Sequence, residues 1–221
     1  ISILATLVYQ SVIFFNDVPI WDFLLGTKWT PLFNPQSFGV LPLVAGTLLV
    51  TVIASIVALI FGLSSAIFLS EYAPENVRKI IKPILEILAG IPTGVYGYFA
   101  LTVITPVIMS IFPDVIIFNA LSAGLVMGIM ITPMVSTISE DALISVPQSL
   151  RDAAYALGAR KYEVSFKVVF PAALSGITAS IILGLSRAIG ETMLVTIAVG
   201  ATPRFTFNPL ESVQAMTAYI V

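Results

Sequence analysis

The chain has 221 residues, of which 58% are hydrophobic and only 10% are charged, with a formal net charge of −2. Because soluble domains carry roughly 25% charged residues, this composition predicts an integral membrane protein. The sequence contains no cysteine and no histidine, which excludes disulfides, thiolate and imidazole metal sites, cysteine nucleophiles and histidine bases, so we expect no catalytic residue and no bound metal.

Five apolar segments follow one another along the chain. They cover residues 1–15, 40–70, 84–112, 116–137 and 172–200. The first is shorter than the roughly 20 residues that a full span needs, so we expect it to be the visible end of a helix. We also expect both ends of the chain to be trimmed. The predicted fold is all-α, a polytopic transmembrane helical bundle in a single domain over residues 1–221, with at least five spans here and about six in the full protein.

The third segment, residues 84–112, is irregular because prolines and glycines interrupt its apolar run between Pro92 and Gly97. Irregular backbone at membrane depth is tolerated only where it is buried in protein or lines a cavity. Thr93 and Tyr96 are therefore candidates for a substrate pathway.

Two pairs of glycines are spaced four residues apart, Gly90 with Gly94 and Gly124 with Gly128. Small residues at this spacing allow helix backbones to approach each other closely. We expect both pairs to lie at helix contacts.

The distribution of lysine and arginine between the polar segments predicts the topology. Segments 71–83 and 138–171 hold seven of these cations, whereas segments 16–39 and 201–221 hold only two. Since cytoplasmic loops carry the excess of positive charge, the first two segments are expected in the cytoplasm and the other two outside. The outer segment 16–39 is rich in aromatic residues, and its prolines are expected to break any helix. It either receives a substrate-binding protein or forms an interfacial aromatic belt.

The polar stretch 145–171 has the features of a short amphipathic helix. Ser145 and Gln148 have the spacing of a capping box, with Pro147 in the tolerant first turn. The predicted apolar positions recur at helical spacing: Leu150, Ala153, Ala154 and Leu157. Gly158 is expected to end this helix by adopting the left-handed backbone conformation. The helix lies either on lipid headgroups or in the groove of a cytoplasmic partner, and its mostly alanine face favours the partner.

Arg187 and Glu191 lie within the fifth apolar segment, four residues apart, so on a continuous helix they share a face and can pair. An arginine at mid-bilayer costs about 2.5–3.5 kcal/mol, so it should face a polar cavity or a partner. The two residues form either a structural ion pair or an anion-handling site. In the second case the planar guanidinium suits phosphate oxygens, and Glu191 keeps the anion from binding too tightly.

A resemblance adds to this interpretation. Asp152-Ala153-Ala154, then Gly158 after three residues, then Val168-Val169-Phe170-Pro171 after nine more, resemble the EAA motif of ABC importer permeases. The chain departs from the family pattern by Asp for Glu, Val for Ile and Phe for Leu. The resemblance implies a type I importer permease fold and makes residues 145–163 a coupling helix region that sits in a cleft of an ATPase subunit. The residues implied in coupling are Arg151, Asp152, Ala153, Ala154, Leu157, Gly158 and Pro171.

Four further segments indicate which kind of ABC importer permease the chain resembles. Residues 66–74, 88–97, 187–192 and 208–218 are similar to permeases of the phosphate-specific transport family, and the last is most similar to its C-type subunit. The resemblance implies a permease subunit of an ATP-driven phosphate importer in a bacterial or archaeal cytoplasmic (inner) membrane. It places Arg187 and Glu191 on the translocation path.

The implied partners are a homologous A-type permease, a dimer of ATPase subunits, an extracytoplasmic phosphate-binding protein, phosphate and membrane lipid, with no nucleic acid. The sequence has no G-x-x-x-x-G-K-[ST] loop, so ATP and Mg are expected on the ATPase partner and no cofactor on this chain.

Two alternatives remain open at this point. The chain could serve an importer of another oxyanion, such as molybdate or sulfate, or of a small solute. A channel or a membrane-embedded enzyme is the other class. The lack of histidine, cysteine and clustered intramembrane carboxylates disfavours an enzyme. A helix kept for a cytoplasmic contact disfavours a simple channel.

Overall fold

The computed structural model describes the backbone of residues 2–221 and the side chains of residues 3–221. The first half contains α1 (Ser2–Asp17), α2 (Ile20–Leu25), β1 (Trp29–Thr30), β2 (Ser37–Phe38), α3 (Leu41–Ile67), α4 (Glu75–Gly90), α5 (Thr93–Phe99) and α6 (Thr105–Ile111). The second half contains α7 (Ala120–Ile144), α8 (Gln148–Ala156), α9 (Lys161–Val164), α10 (Phe170–Ala172), α11 (Leu174–Ile189), α12 (Met193–Ala198) and α13 (Met216–Ile220). Three π-helical turns, Phe68–Tyr72, Ala100–Ile104 and Ser165–Val169, extend α3, join α5 to α6 and join α9 to α10.

Within residues 2–221, three helices are long and apolar enough to cross a membrane: Leu41–Tyr72, Thr93–Ile111 and Ala120–Ile144. A fourth crossing forms if Lys161–Ala172 and Leu174–Ile189, which meet at 70°, are counted as one bent span. The helix Ile3–Asp17 is apolar but shorter. The predicted all-α transmembrane bundle is confirmed, although the ends of several predicted spans are wrong.

The third predicted span begins too early. Residues 84–90 belong to α4, and the chain is extended at Ile91 before α5 begins at Thr93. Pro92 explains the break, because a proline disfavours helical backbone at the residue before it. The segment 71–83, expected to be a loop, therefore supplies the start of a helix that reaches Gly90.

The fourth predicted span begins too early and ends too early. Asn119 caps α7, its side-chain oxygen accepting from the backbone N–H of Ser122 at 2.8 Å, so residues 116–118 precede the helix. At the other end α7 continues to Ile144, because Ser139, Glu140 and Leu143 are buried against neighbouring elements.

The fifth predicted span is interrupted twice. Its start bends by 70° between α10 and α11, and α11 ends at Ile189. The chain then turns at Gly190, and α12 begins only at Met193.

Close packing of α3 against α7 forms the centre of the bundle. A Cβ added to Gly124 would lie 2.7 Å from Ile53 Cβ, and one added to Gly128 would lie 2.4 Å from Val57 Cβ. Real side chains do not approach this closely, so both positions require glycine. The predicted close packing of this glycine pair is confirmed.

The other glycine pair does not pack in this way. No heavy atom lies within 4 Å of a Cβ on Gly90, and one on Gly94 would meet only Ile197 Cδ1, at 3.9 Å. The two residues lie on either side of the helix break at Pro92, so they share no helix face. The prediction of a helix contact is wrong here.

Residues 16–39 contain more structure than expected. Pro19 precedes α2 and does not break it, since a proline fits at a helix start. Trp29 and Phe38 then pair across a short antiparallel ladder, and their rings meet edge to face.

The polar segments assemble at two ends of the bundle. One group comprises 16–39 and 201–221, and the other comprises 71–83 and 138–171. In the first group, the rings of Trp29 and Tyr219 meet edge to face with centroids 5.0 Å apart. In the second, Arg151 pairs with Glu71. The groups lie at opposite ends of Leu41–Tyr72, whose 32 residues extend about 48 Å.

Candidate functional site

The start of α8 is not the predicted capping box. The residue before α8 is Pro147, which offers no side-chain acceptor. Because α7 continues to Ile144, Ser145 caps the end of that helix, and its hydroxyl donates to the carbonyl of Ala142 at 2.7 Å. Gln148 instead donates to Asp152 within α8, at 3.1 Å.

The end of α8 matches the expectation from Gly158. This glycine has a φ of 84°, and the N–H groups of Gly158 and Ala159 donate to the carbonyls of Tyr155 and Ala154. These two bonds form a Schellman motif, which satisfies carbonyls that the helix end leaves free. The corner is fixed by backbone geometry, so α8 ends at a defined place and direction.

The apolar face of α8 is open. None of the residues of α8 is buried, and Leu157, just after it, is 89% exposed. Asp152 and Ala153 are also exposed, whereas Ala154 is half-buried against the cluster that includes Val164 and Val169. This face is therefore free for a partner as far as the described residues show.

Arg151 does not face outward with that surface. Its Nη1 pairs with Glu71 Oε1, and its Nη2 donates to the carbonyl of Leu143 at 2.8 Å. The guanidinium thus joins α8 to the turn that ends α3 and to the last turn of α7. No spacing in the sequence indicates this contact, because Arg151 and Glu71 are 80 positions apart.

Pro171 lies in the first turn of α10, where proline is tolerated. Ala173, two residues later, marks the 70° bend into α11. The segment from Gly158 to Pro171 therefore spans the corner and the bent entry to α11, and Pro171 is exposed.

Arg187 and Glu191 are not a pair. The chain leaves the helix after Ile189, so the four-residue spacing no longer places both side chains on one face. Glu191 is buried, and its Oε1 accepts from the N–H of Leu194 at the start of α12, at 3.3 Å. No ion pair joins Arg187 to Glu191 or to another described residue between 3 and 221.

Arg187 is exposed in a groove of about 430 Å³ between α4, α7 and α11. The lining residues are Leu85, Glu86, Ala89, Met130, Pro133, Met134, Thr137 and Arg187. Glu86 and Arg187 contribute opposite charges to one otherwise largely apolar groove. Such a groove can hold a small anion against the guanidinium while the carboxylate limits how strongly it is held.

The two other pathway candidates lie elsewhere. Tyr96 is buried, and its hydroxyl donates to the carbonyl of Leu88 at 2.7 Å, bridging the break between α4 and α5. Thr93 is half-buried at the first position of α5. Among the described residues, neither contributes to the lining of the Arg187 groove.

A buried carboxylate that the sequence interpretation missed is Glu140, which is 1% exposed near the end of α7. Lys82 Nζ lies 3.0 Å from its Oε1, and Arg78 Nε lies 3.9 Å from the same atom. Arg78 and Lys82 are four residues apart and share a face of α4. That spacing would have indicated an acidic partner if α4 had been identified as a helix.

Residues 58–217 match the model of the family described as binding-protein-dependent transport system inner membrane component. The chain belongs to this family. The permease family predicted from the EAA motif is thereby confirmed.

Relatives of this permease carry related names. It is 35% identical to the probable ABC transporter permease protein YqgH of Bacillus subtilis, over 93% of this chain and 66% of that protein. It is 33% identical to the phosphate transport system permease protein PstC of Pasteurella multocida, over 98% and 74%. Its identity to PstC of Mesorhizobium japonicum is 34%, over 90% and 67%. The chain thus spans 66% to 74% of the length of these relatives.

A solved structure shares the fold of the permease. A chain of the MetNI methionine ABC transporter, solved in inward-facing conformations, aligns with a TM-score of 0.57 and 21% identity. The alignment covers 66% of this chain and 67% of that chain. At this identity the likeness shows the helical permease fold alone.

Proposed function

We propose that this chain is the C-type permease subunit of an ATP-driven phosphate importer and forms one half of the translocation pathway. The observation that carries the proposal is the exposed Arg187 in a groove between α4, α7 and α11. The identity to proteins named PstC over at least 90% of this chain supports phosphate as the substrate.

The groove provides one wall of a phosphate site. The guanidinium of Arg187 donates two parallel hydrogen bonds to a tetrahedral oxyanion, a geometry that a lysine does not offer. Glu86, on the α4 side, opposes an anion held at Arg187 and so favours its release. The groove is open, which suits a second, homologous permease subunit that completes the site from the opposite side.

Glu191 has a different role in this proposal from the one expected of an ion-pair partner. Its carboxylate caps α12 and its backbone carbonyl accepts from Thr217 at 2.7 Å. These contacts hold the turn after Arg187 against the C-terminal segment. Glu191 therefore positions Arg187 in the pathway without contacting it.

The open face of α8 is the proposed contact for a cytoplasmic ATPase subunit. A capped end at Gly158, an exposed Leu157 and small neighbouring side chains allow close insertion into a groove. This assignment places segments 71–83 and 138–171 in the cytoplasm. It leaves segments 16–39 and 201–221 outside, where they face an extracytoplasmic phosphate-binding protein. ATP and Mg bind to the ATPase subunits.

Competition between oxyanions tests the substrate. Membrane vesicles containing the complete importer are loaded with ATP, and uptake of radiolabelled phosphate is measured with excess unlabelled phosphate, molybdate or sulfate. We expect phosphate alone to suppress the signal. Suppression by molybdate or sulfate at equal concentration would assign the permease to another oxyanion.

A further inference from the structure

The ion pair between Arg151 and Glu71 is buried, with side-chain exposures of 13% and 5%. An exposed ion pair contributes little, because water screens it and the side chains must be ordered. Here water is largely excluded, and removing either partner leaves the other charge buried without compensation. A further hydrogen bond from Arg151 to the carbonyl of Leu143 fixes the guanidinium in place. The contact therefore fixes α8 to its neighbours.

Glu71 lies in the π-helical turn Phe68–Tyr72, which ends α3. Only Ala73 and Pro74 separate this turn from the start of α4 at Glu75. Arg78, in the first turns of α4, donates back to the carbonyl of Leu69 in the same π-helical turn. The end of α3 and the start of α4 thus form one unit, and Arg151 attaches α8 to it.

The far part of α4 lines the substrate groove. Leu85, Glu86 and Ala89 line it from the α4 side, and Arg187 lines it from α11. The 16 residues from Glu75 to Gly90 form one helix of about 24 Å that continues through Pro83, so a displacement at its start is carried to this wall. A second connection from α8 to the groove passes through the Gly158 corner and the 70° bend before α11.

We propose that Arg151 is a positioning residue that couples α8 to the substrate groove through Glu71 and α4. This inference rests on the proposed function, because it takes α8 as the element that an ATPase subunit moves. A displacement of α8 then acts on two of the three walls of the groove, on α11 through the chain and on α4 through the ion pair. It changes the distance between Arg187 and Glu86, and therefore how strongly the groove binds the anion.

Charge exchange in the complete, reconstituted complex tests the proposal. The variants are Glu71→Arg, Arg151→Glu and the double exchange, and the readouts are co-purification of the ATPase subunit, ATP hydrolysis and phosphate moved per ATP. We expect each single variant to retain the ATPase subunit but to lower phosphate moved per ATP by about tenfold or more. The double exchange should restore this ratio, because it rebuilds the pair with reversed polarity.

The exposed pair Glu75 and Lys79, which lies on one face of α4, provides the matched control. Exchanging these two charges should leave the ratio of phosphate to ATP unchanged. Single variants of Glu71 and Arg151 with a normal ratio, or a double exchange that restores nothing, would overturn the inference. A wild-type complex that hydrolyses ATP without moving phosphate would overturn the proposed function itself.

A cross-linking experiment covers the case in which a reversed charge prevents assembly. Residues 1–221 contain no cysteine, so Glu71→Cys with Arg151→Cys introduces the only two thiols within this range. We expect this variant to be uncoupled, and a short bifunctional thiol reagent that bridges the two residues to restore phosphate moved per ATP. If the bridged complex remains uncoupled, α8 must move relative to α3, and the proposed rigid connection is wrong.

Discussion

Replacement of Arg187 by glutamine is expected to abolish phosphate uptake while the complex stays assembled. A hydrogen bond from a charged donor contributes about 1.5–3 kcal/mol, and the guanidinium can donate two such bonds to one phosphate. The loss of both removes at least about 3 kcal/mol, which corresponds to a decrease of about 100-fold or more in kcat/KM for uptake. Stability should change little, because the side chain is exposed and has no ion-pair partner among the described residues.

The assay is ATP-dependent uptake of radiolabelled phosphate, with co-purification of the ATPase subunit measured on the same preparation. Lys79→Gln is the matched control, since it removes an exposed cation from α4 outside the groove. Normal uptake by Arg187→Gln would refute the assignment of Arg187 to the pathway. Loss of assembly together with uptake would instead favour a structural role.

Three further substitutions test separate parts of the structure. Gly158→Arg should prevent pull-down of the ATPase subunit, whereas Gly158→Asn should still pull it down, because asparagine tolerates the left-handed backbone. Equal pull-down by both variants would contradict the docking role of this corner. Gly128→Ala should lower the free energy of unfolding by about 1–3 kcal/mol, because its Cβ would clash with Val57, whereas Gly90→Ala should leave this free energy unchanged. Equal melting temperatures of the two variants in detergent would contradict the close packing at Gly128. Glu140→Ala should destabilise the chain by about 1–3 kcal/mol in the same melting assay, because Lys82 and Arg78 lose their carboxylate partner. An unchanged melting temperature would show that the contacts of Glu140 with these two cations do not stabilise the fold.

The long apolar helices could be predicted because their composition is uniform. The residues of α3 are uncharged from end to end, and the structure places a spanning helix there. The prediction failed where an amphipathic helix runs into a span. Isoleucines at 80, 84 and 87 continue the apolar run of α4 toward Pro92, but their side chains are exposed and the helix ends before the proline.

Local spacing was reliable only where the helix was continuous. Gly158 terminates α8 as expected, because the requirement for positive φ is a property of one residue. The capping box failed because α7 extends to Ile144 and uses Ser145 for its own end. The pairing of Arg187 with Glu191 failed because the helix ends between them.

Contacts between distant segments could not be obtained from spacing. Arg151 and Glu71 are 80 positions apart, and only the packing of α8 beneath the end of α3 brings them together. Glu140 likewise finds Lys82 through the approach of α4 to α7. The groove at Arg187 also depends on this approach, so its opposite wall, with Glu86, was not foreseen from the sequence.

We infer that this permease moves phosphate only when a partner hydrolyses ATP. The most direct measurement is accumulation of radiolabelled phosphate in proteoliposomes that contain the complete complex. The phosphate-binding protein is supplied at the extracytoplasmic face of the complex, and ATP is supplied at its cytoplasmic face. We predict accumulation above the external concentration with ATP and no flux without it. Phosphate that equilibrates without ATP would indicate a channel, and a complex that moves no phosphate under either condition would contradict the assignment.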